Sequence, residues 1–338
     1  MKLSSLFTDG AVLQRERPLY IFGTGTGDWR LTFDGETREG RADGRFEARF
    51  SPRRAGGPYE LTAELDGETV VVRNVMVGDV YIVAGQSNAE LPLRETSDAG
   101  CVAEGYADIR FYGNIRPDVD ENGALTLMET PYDGKWTGLA PENADDMSAI
   151  GVHMGLHYSR KDRVAVGIVP CFKGASVIQG FMSEKANEPF RLPAGDLMLD
   201  HTYYPWNDPA YLYHLMLEPL FPFAAKAVVW YQGESNRTVK EAAIYDNMLV
   251  AMVDEWRRNF RNEALPFVIV QINRFPAYDA EEGVLAIMAA QERAMGRIPY
   301  SRMVKAEELG EYERIHPMNK KALTDRIVAA LADLGADS

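Results

Sequence analysis

An apolar run that ends in a glycine-bearing turn constrains the fold of this chain most strongly. Val77 to Gly85 reads VGDVYIVAG, and Gln86, Ser87 and Asn88 follow directly. Such a run is typical of a β-strand, and it would deliver the serine into a tight turn at the end of that strand. A serine hydroxyl there can act as a nucleophile if a base lies within hydrogen-bond reach and donors stabilise the oxyanion formed after attack.

The hydrophobic pattern changes at this run. Residues 1 to 75 alternate short β-type runs, such as 19–23, 29–33 and 69–72, with Gly and Asp turns, which favours a small antiparallel sandwich. From Gly78 onward, strand-like runs alternate with helical stretches, which predicts a parallel sheet with helices on both faces. We therefore predict a small β-sandwich-like domain over residues 1–75 and a catalytic domain over residues 76–338, with its site at the C-terminal ends of the strands.

Composition excludes several classes of partner. The net charge of −14 argues against nucleic acid and anionic membranes as partners. No apolar run is long enough to span a membrane, and the first ten residues lack the apolar region of a secretory signal. As it stands the chain is expected to be cytoplasmic, or secreted or periplasmic if a signal peptide has been removed. The two cysteines, Cys101 and Cys171, show no C-x-x-C spacing and leave the redox compartment open.

Five histidines are the candidates for a catalytic base. Two of them lie four residues apart, a spacing that could bind a metal, but no Glu stands between them as in H-E-x-x-H, so packed or surface positions are the preferred interpretation. Two others stand among aromatic residues, where packing or substrate lining would explain them. The fifth stands on its own near the C-terminus. In chain order they are His153, His157, His201, His214 and His316.

His316 has the sequence context of a catalytic base. Pro317 follows it and biases it away from helix, so we expect the ring on a loop just before a final helix. Glu313 lies three residues before it. A carboxylate at that offset can accept from one ring nitrogen and leave the other to face the serine, as in a Ser/His/acid triad.

A set of short motifs occurs in one order along nearly the whole chain. The set resembles the sialate O-acetylesterase family of carbohydrate esterases, a branch of the SGNH (GDSL-like) hydrolases. This resemblance implies an α/β fold with an SGNH-like three-layer α/β/α parallel sheet. The motifs are 12–15 (VLQR), 55–59 (AGGPY), 78–80 (GDV), 85–88 (GQSN), 148–149 (SA), 167–169 (GIV), 174–176 (GAS), 230–236 (WYQGESN), 256–257 (WR), 266–267 (PF) and 315–317 (IHP).

The resemblance implies a role for each matching residue. Ser87 would be the nucleophile, and His316 the general base and then the general acid toward the leaving sugar hydroxyl. The oxyanion hole would consist of the backbone N–H groups of Ser87 and Gly174 and the side-chain amide of Gln232. The residues agree with this, because Gly174 and Gln232 each follow an apolar strand-like run and each can offer an N–H donor. Neither a metal nor an organic cofactor is implied.

Other positions either support the motifs or depart from them. Glu234 and Gln86 belong to the motifs and are expected to support the site, Glu234 by bracing its loops through hydrogen bonds. The usual acid before the histidine is Asp, whereas this chain has Glu313, with Glu311 and Glu308 nearby as alternatives. Further departures from the family pattern stand at Lys173, Ala175, His214 and Met288.

The sequence thus predicts a serine esterase that removes acetyl groups from a carbohydrate through an acyl-enzyme. Its expected partner is an acetylated carbohydrate, and its oligomeric state is open. Two alternatives remain: an acetylesterase for plant polysaccharides such as acetylated xylan, and a non-catalytic carbohydrate-binding protein on a decayed esterase scaffold. A Ser87 hydroxyl beyond hydrogen-bond reach of His316 would favour the second alternative.

Overall fold

The structure is a computed structural model that describes residues 1–200, 202–275, 281–309, 311 and 314–336, with the backbone alone at residue 308. These residues form fourteen β-strands and seven α-helices. The strands are β1 Lys2–Leu3, β2 Val12–Gln14, β3 Leu19–Phe33, β4 Glu36–Phe50, β5 Gly56–Leu65, β6 Glu68–Gly85, β7 Tyr106–Tyr112, β8 Arg116–Val119, β9 Leu125–Met128, β10 Trp136–Leu139, β11 Val166–Phe172, β12 Ala227–Tyr231, β13 Phe267–Gln271 and β14 Ser301–Lys305. The helices are α1 Ser87–Glu90, α2 Pro141–Ala144, α3 Ala149–Asp162, α4 Glu184–Asn187, α5 Val239–Asn259, α6 Glu281–Met295 and α7 Lys320–Asp333.

Strand β6 belongs to two sheets. Its first half, up to Val77, pairs antiparallel with β5 in the N-terminal sheet that also contains β1 to β4. Its second half, from Asp79 to Gly85, lies parallel between β11 and β12. The predicted domain boundary after residue 75 falls inside this continuous strand, so the division into two domains remains a prediction.

The second sheet has the strand order β10-β7-β11-β6-β12-β13-β14. All neighbours in it are parallel except β10, which runs antiparallel to β7. Along β6, Tyr81 and Val83 pack in the cluster of α3 and α7, whereas Ile82 and Ala84 pack in the cluster of α5 and α6. This alternation confirms the predicted three-layer α/β/α fold. Within the described part of the chain, no helix is long and apolar enough to cross a bilayer.

A buried ion cluster fixes the N-terminal segment to the start of the parallel sheet. The Asp79 side chain is fully buried and accepts hydrogen bonds from Arg15 Nε at 2.8 Å and Arg15 Nη2 at 2.9 Å. Lys226 Nζ, which lies just before β12, donates to the same carboxylate at 2.9 Å. A carboxylate taken out of water is tolerated here because two cations and several donors surround it.

We expect Asp79→Asn to destabilise the protein by about 3–5 kcal/mol, because it leaves two partly buried cations without their anion. Denaturant unfolding followed by circular dichroism measures the change. Asp28→Asn is the matched control, since Asp28 pairs with Arg41 on the surface and both side chains are 75% exposed. The control should stay within about 0.5 kcal/mol of wild type. Equal losses in both variants would contradict this account of Asp79.

Candidate active site

A sharp turn at Gly85 sets the position of Ser87. Gly85 has a φ of +134°, and a Cβ at this position would lie 2.0 Å from the carbonyl oxygen of Tyr231 on the neighbouring strand. Only glycine fits there without moving the backbone. The strand therefore ends at once, and α1 begins at Ser87. As the first residue of that helix, Ser87 has a backbone N–H with no acceptor inside the helix.

His316 reaches Ser87 from a loop at the other end of the chain. His316 Nε2 lies 2.8 Å from Ser87 Oγ, although 229 positions separate the two residues. The loop ends at Asn319, whose side chain caps α7 by accepting from the N–H of Ala322 at 3.1 Å. The structure thus brings together the two side chains that the sequence predicts as nucleophile and base.

The surroundings of His316 favour the neutral imidazole. Burial lowers the pKa of His316 below its ordinary value, the positive charge of Lys320 acts in the same direction, and Glu95 opposes both. A neutral ring has a free lone pair with which to accept the serine proton. The ring is therefore suited to act as a general base at neutral pH.

Of the three acids predicted near His316, the structure describes the side chain of Glu311. Glu313 lies outside the described residues, and so does the side chain of Glu308. Glu311 is described, and its carboxylate accepts from the N–H of Met318 at 2.7 Å and of Asn319 at 2.8 Å. Glu311 therefore braces the backbone directly after His316, and the role predicted for Glu313 remains a prediction.

Gly174 lies beside Ser87, and its N–H has a partner. A Cβ built on Gly174 would lie 3.7 Å from Ser87 Cβ, so the two residues are adjacent, as an oxyanion hole requires. The Gly174 N–H donates to Glu90 Oε2 at 2.6 Å, and Glu90 Oε1 accepts from Arg116 Nη1 at 2.7 Å. The sequence interpretation missed this carboxylate. Its position one helical turn after Ser87 is a signal that would have placed it near the nucleophile.

Gln232 is fully buried behind the site, and its amide is saturated. Its Nε2 donates to the carbonyl oxygen of Ser176 at 3.0 Å and to Asn236 Oδ1 at 2.8 Å. Its Oε1 accepts from the Tyr245 hydroxyl at 2.7 Å. An oxyanion contact from Gln232 would require one of the two donated bonds to break, so in this structure Gln232 braces the loops, and its oxyanion role remains a prediction.

Gln86 and Glu234, the two residues predicted to support the site, form hydrogen bonds between neighbouring loops. Gln86 Oε1 accepts from the N–H of Gly233 at 3.3 Å and of Ser235 at 3.2 Å, joining the serine turn to the loop after β12. Glu234 Oε1 accepts from Asn88 Nδ2 at 2.6 Å. Gln86 is 3% and Glu234 1% exposed, and burial raises the pKa of Glu234. Their positions match a supporting role beneath the reacting groups.

His153 and His214 contact acidic side chains rather than Ser87. His153 Nε2 lies 3.4 Å from Asp98 Oδ2, and His214 lies between Glu184 and Glu218 on the surface. His201 is outside the described residues. Among the side chains that the structure describes, no group of three or more His, Cys, Asp or Glu could hold a metal ion. Cys101 is exposed, Cys171 is buried, and both are free thiols.

A cavity of about 300 Å³ adjoins Glu90. Arg116 and the aromatic residues Tyr112, Tyr132 and Phe172 contribute to its lining. Arg116 belongs to the hairpin of β8 and β9, within the segment from residue 100 to 146 that passes over this side of the site. Aromatic rings beside planar polar groups are the usual surroundings of a bound sugar.

Comparison with known proteins agrees with this geometry. The family described as "Carbohydrate esterase, sialic acid-specific acetylesterase" matches residues 77–325, starting within β6. A sialate O-acetylesterase of Homo sapiens is 24% identical over 312 residues, covering 82% of this chain and 58% of that protein. Its counterpart from Mus musculus is 22% identical over 339 residues, covering 82% and 61%.

A solved structure resembles the whole chain. The crystal structure of a carbohydrate acetylesterase from Xanthomonas citri has a TM-score of 0.84 and 29% identity, covering 100% of this chain and 76% of that one. The match to the mammalian relatives, in contrast, spans less than two thirds of their length. The family match covers every residue from Ser87 into α7 and confirms the resemblance inferred from the sequence motifs. The chain belongs to the sialic acid-specific acetylesterase family of carbohydrate esterases.

Proposed function

We propose that this chain is a serine esterase that removes O-acetyl groups from a carbohydrate. The observation that carries the proposal is the 2.8 Å contact between Ser87 Oγ and His316 Nε2 at the C-terminal ends of parallel strands. Family membership supports the substrate class, since the mammalian relatives are named sialate O-acetylesterases and the Xanthomonas citri protein a carbohydrate acetylesterase. The contact also argues against a decayed, non-catalytic scaffold.

In the first half of the reaction, His316 takes the proton of Ser87 Oγ as that oxygen attacks the acetyl carbonyl carbon. The carbonyl oxygen becomes an oxyanion. When the tetrahedral intermediate collapses, the bond to the sugar oxygen breaks, and His316 gives its proton to that leaving oxygen. The acetyl group is then bound to Ser87 as an ester.

In the second half, a water molecule enters in place of the sugar. His316 takes a proton from the water as its oxygen attacks the acetyl-serine, which forms a second oxyanion. Collapse returns the proton from His316 to Ser87 Oγ and releases acetic acid, which loses its remaining proton to solvent as acetate. All proton transfers run through one imidazole, so a single base serves both halves of the reaction.

The oxyanion in both halves needs nearby donors. Ser87 and Gly174 are adjacent residues. The N–H group of each can contribute a bond of the kind that typically changes turnover about a hundred- to a thousandfold. The Gly174 N–H is bound to Glu90 in the free protein. We infer that the Glu90 carboxylate leaves this N–H when the ester binds, because two anions cannot share one donor favourably.

Ser87→Ala should lower kcat/KM for p-nitrophenyl acetate by about 10⁴- to 10⁶-fold, because it removes the nucleophile. Ser51→Ala, directly after β4 of the N-terminal sheet, is the matched control and should retain full activity. Acetate release from acetylated sialic acid and from acetylated xylo-oligosaccharides then identifies the sugar. Equal rates for wild type and Ser87→Ala would overturn the serine mechanism. Preference for the xylo-oligosaccharide would favour the plant-polysaccharide alternative.

The pH dependence of kcat/KM should report the titration of His316. Burial and the charge of Lys320 disfavour the imidazolium, so the pKa of His316 is lowered. The neutral, active form therefore persists to more acidic pH than in an exposed histidine. We expect the acidic limb of kcat/KM to have its midpoint below about pH 6.5. A midpoint above that value would contradict the assignment.

Glu90→Gln should raise kcat/KM for p-nitrophenyl acetate about fivefold. The amide is a weaker acceptor than the carboxylate, so the Gly174 N–H becomes available more readily, and no negative charge remains beside the oxyanion. Glu129→Gln removes a carboxylate from the lining of the same cavity and serves as the control, with no change expected. A tenfold loss in Glu90→Gln would show that the carboxylate instead assists catalysis.

A further inference from the structure

A lysine with no assigned role is buried next to the candidate active site. Lys320 is the first residue of α7 and is fully buried. Its Nζ donates to Asn88 Oδ1 at 2.8 Å and lies 5.3 Å from the centroid of the Tyr231 ring. Removing an ammonium group from water is costly, so its retention here calls for a compensating role.

Asn88 connects this lysine to the loop of the base. It follows Ser87 directly and is fully buried. Its Nδ2 donates to the carbonyl oxygen of Ile315, the residue before His316, at 2.8 Å, and to Glu234 Oε1 at 2.6 Å. One side chain therefore joins the nucleophile helix, the His316 loop, the loop after β12 and the start of α7.

Nearby charged groups shift the pKa values of both Lys320 and His316. Burial lowers the pKa of Lys320 to about 7, while Glu234 and Glu311 oppose that shift. Among the residues that the structure describes, Lys320 lowers and Glu95 raises the pKa of His316. A cation at Lys320 makes the imidazolium of His316 less favourable, because like charges repel strongly where water is excluded.

We propose that Lys320 is a positioning residue for the Ser87–His316 pair, holding the His316 loop through Asn88 and disfavouring the protonated ring through its positive charge. This proposal rests on the proposed esterase function, because its kinetic test requires that activity. The titration of His316 itself can be followed without turnover, so the two proposals can fail separately.

The first test is the titration of His316 by NMR in the wild type, Lys320→Met and Lys320→Gln. A His316→Gln variant identifies the resonance. Both substitutions at Lys320 remove the charge, so we expect the midpoint of His316 to move to higher pH by about half a unit to one unit. Lys321→Met is the control, because Lys321 is exposed and pairs with Asp325 on the same helix. Its midpoint should not move.

The second test separates the charge from the hydrogen bond. Gln at position 320 keeps an N–H donor for Asn88, whereas Met does not. We expect kcat for p-nitrophenyl acetate to fall about tenfold or more in Lys320→Met and less in Lys320→Gln, with KM nearly unchanged. In both variants the acidic limb of kcat/KM should move to higher pH with the His316 midpoint.

The electrostatic role would be overturned if the titration midpoint of His316 did not move in the Lys320 variants. It would also be overturned if the midpoint moved equally in Lys321→Met. Equal kcat in wild type and Lys320→Met would overturn the positioning role. If circular dichroism shows that Lys320→Met does not fold, Lys320→Ala, which also lacks a donor for Asn88, replaces it in the kcat test of the positioning role, and Lys320→Gln decides the electrostatic role by its midpoint. A wild type that cleaves no ester would overturn the proposed function, while the NMR midpoints would still decide the electrostatic role.

Discussion

A side chain at position 85 would collide with the Tyr231 carbonyl oxygen, and the geometry of the site follows from that constraint. Because Gly85 lets β6 approach β12 closely and turn at once, Ser87 begins a helix at the edge of the sheet. After the C-terminal ends of β11 and β12, Gly174 lies beside Ser87, and Gln232 donates to the carbonyl oxygen of Ser176. A parallel sheet with helices on both faces keeps these strand ends in register, so three separate chain segments meet around one hydroxyl.

The polar side chains packed beneath Ser87 form hydrogen bonds with the surrounding loops and with one another. Amide side chains from Gln86, Asn88 and Gln232 each join two or more loops, and the buried Glu234 accepts from one of them. In this low-dielectric surrounding a satisfied network is rigid, because breaking any bond leaves a buried donor or acceptor unpaired. We infer that this rigid hydrogen-bond network keeps His316 within hydrogen-bond distance of Ser87. Glu90, on the cavity side, has to move for the Gly174 N–H to reach the oxyanion in the proposed reaction.

The parts of the fold that local patterns determine could be predicted from the sequence. Hydrophobic periodicity predicts β12, β13 and the final helix. Pro317 predicts that His316 lies on a loop. The runs 19–23 and 29–33, in contrast, form one strand, β3, because its pairing with β4 carries the backbone through the glycines and polar residues between them. Local composition could not show that partner strand.

The contacts of Glu90 and Lys320 could not be predicted from the sequence, because their partners are also distant along the chain. The Glu90 carboxylate meets the N–H of a residue 84 positions away, and Lys320 meets an amide 232 positions away. Neither residue type is unusual on a helix surface, so its burial or its partner becomes visible only when the sheet has brought the segments together. Glu313 lies outside the described residues, and its predicted role in orienting His316 stays a prediction.

If His316 activates Ser87 as a nucleophile, Ser87 should react with a fluorophosphonate. Such a reagent forms a stable bond with an activated serine oxygen. We predict one adduct per chain, located on Ser87 by peptide mass spectrometry, formed rapidly in wild type and much more slowly in His316→Gln. Labelling of another residue, or equal rates in wild type and His316→Gln, would contradict the account.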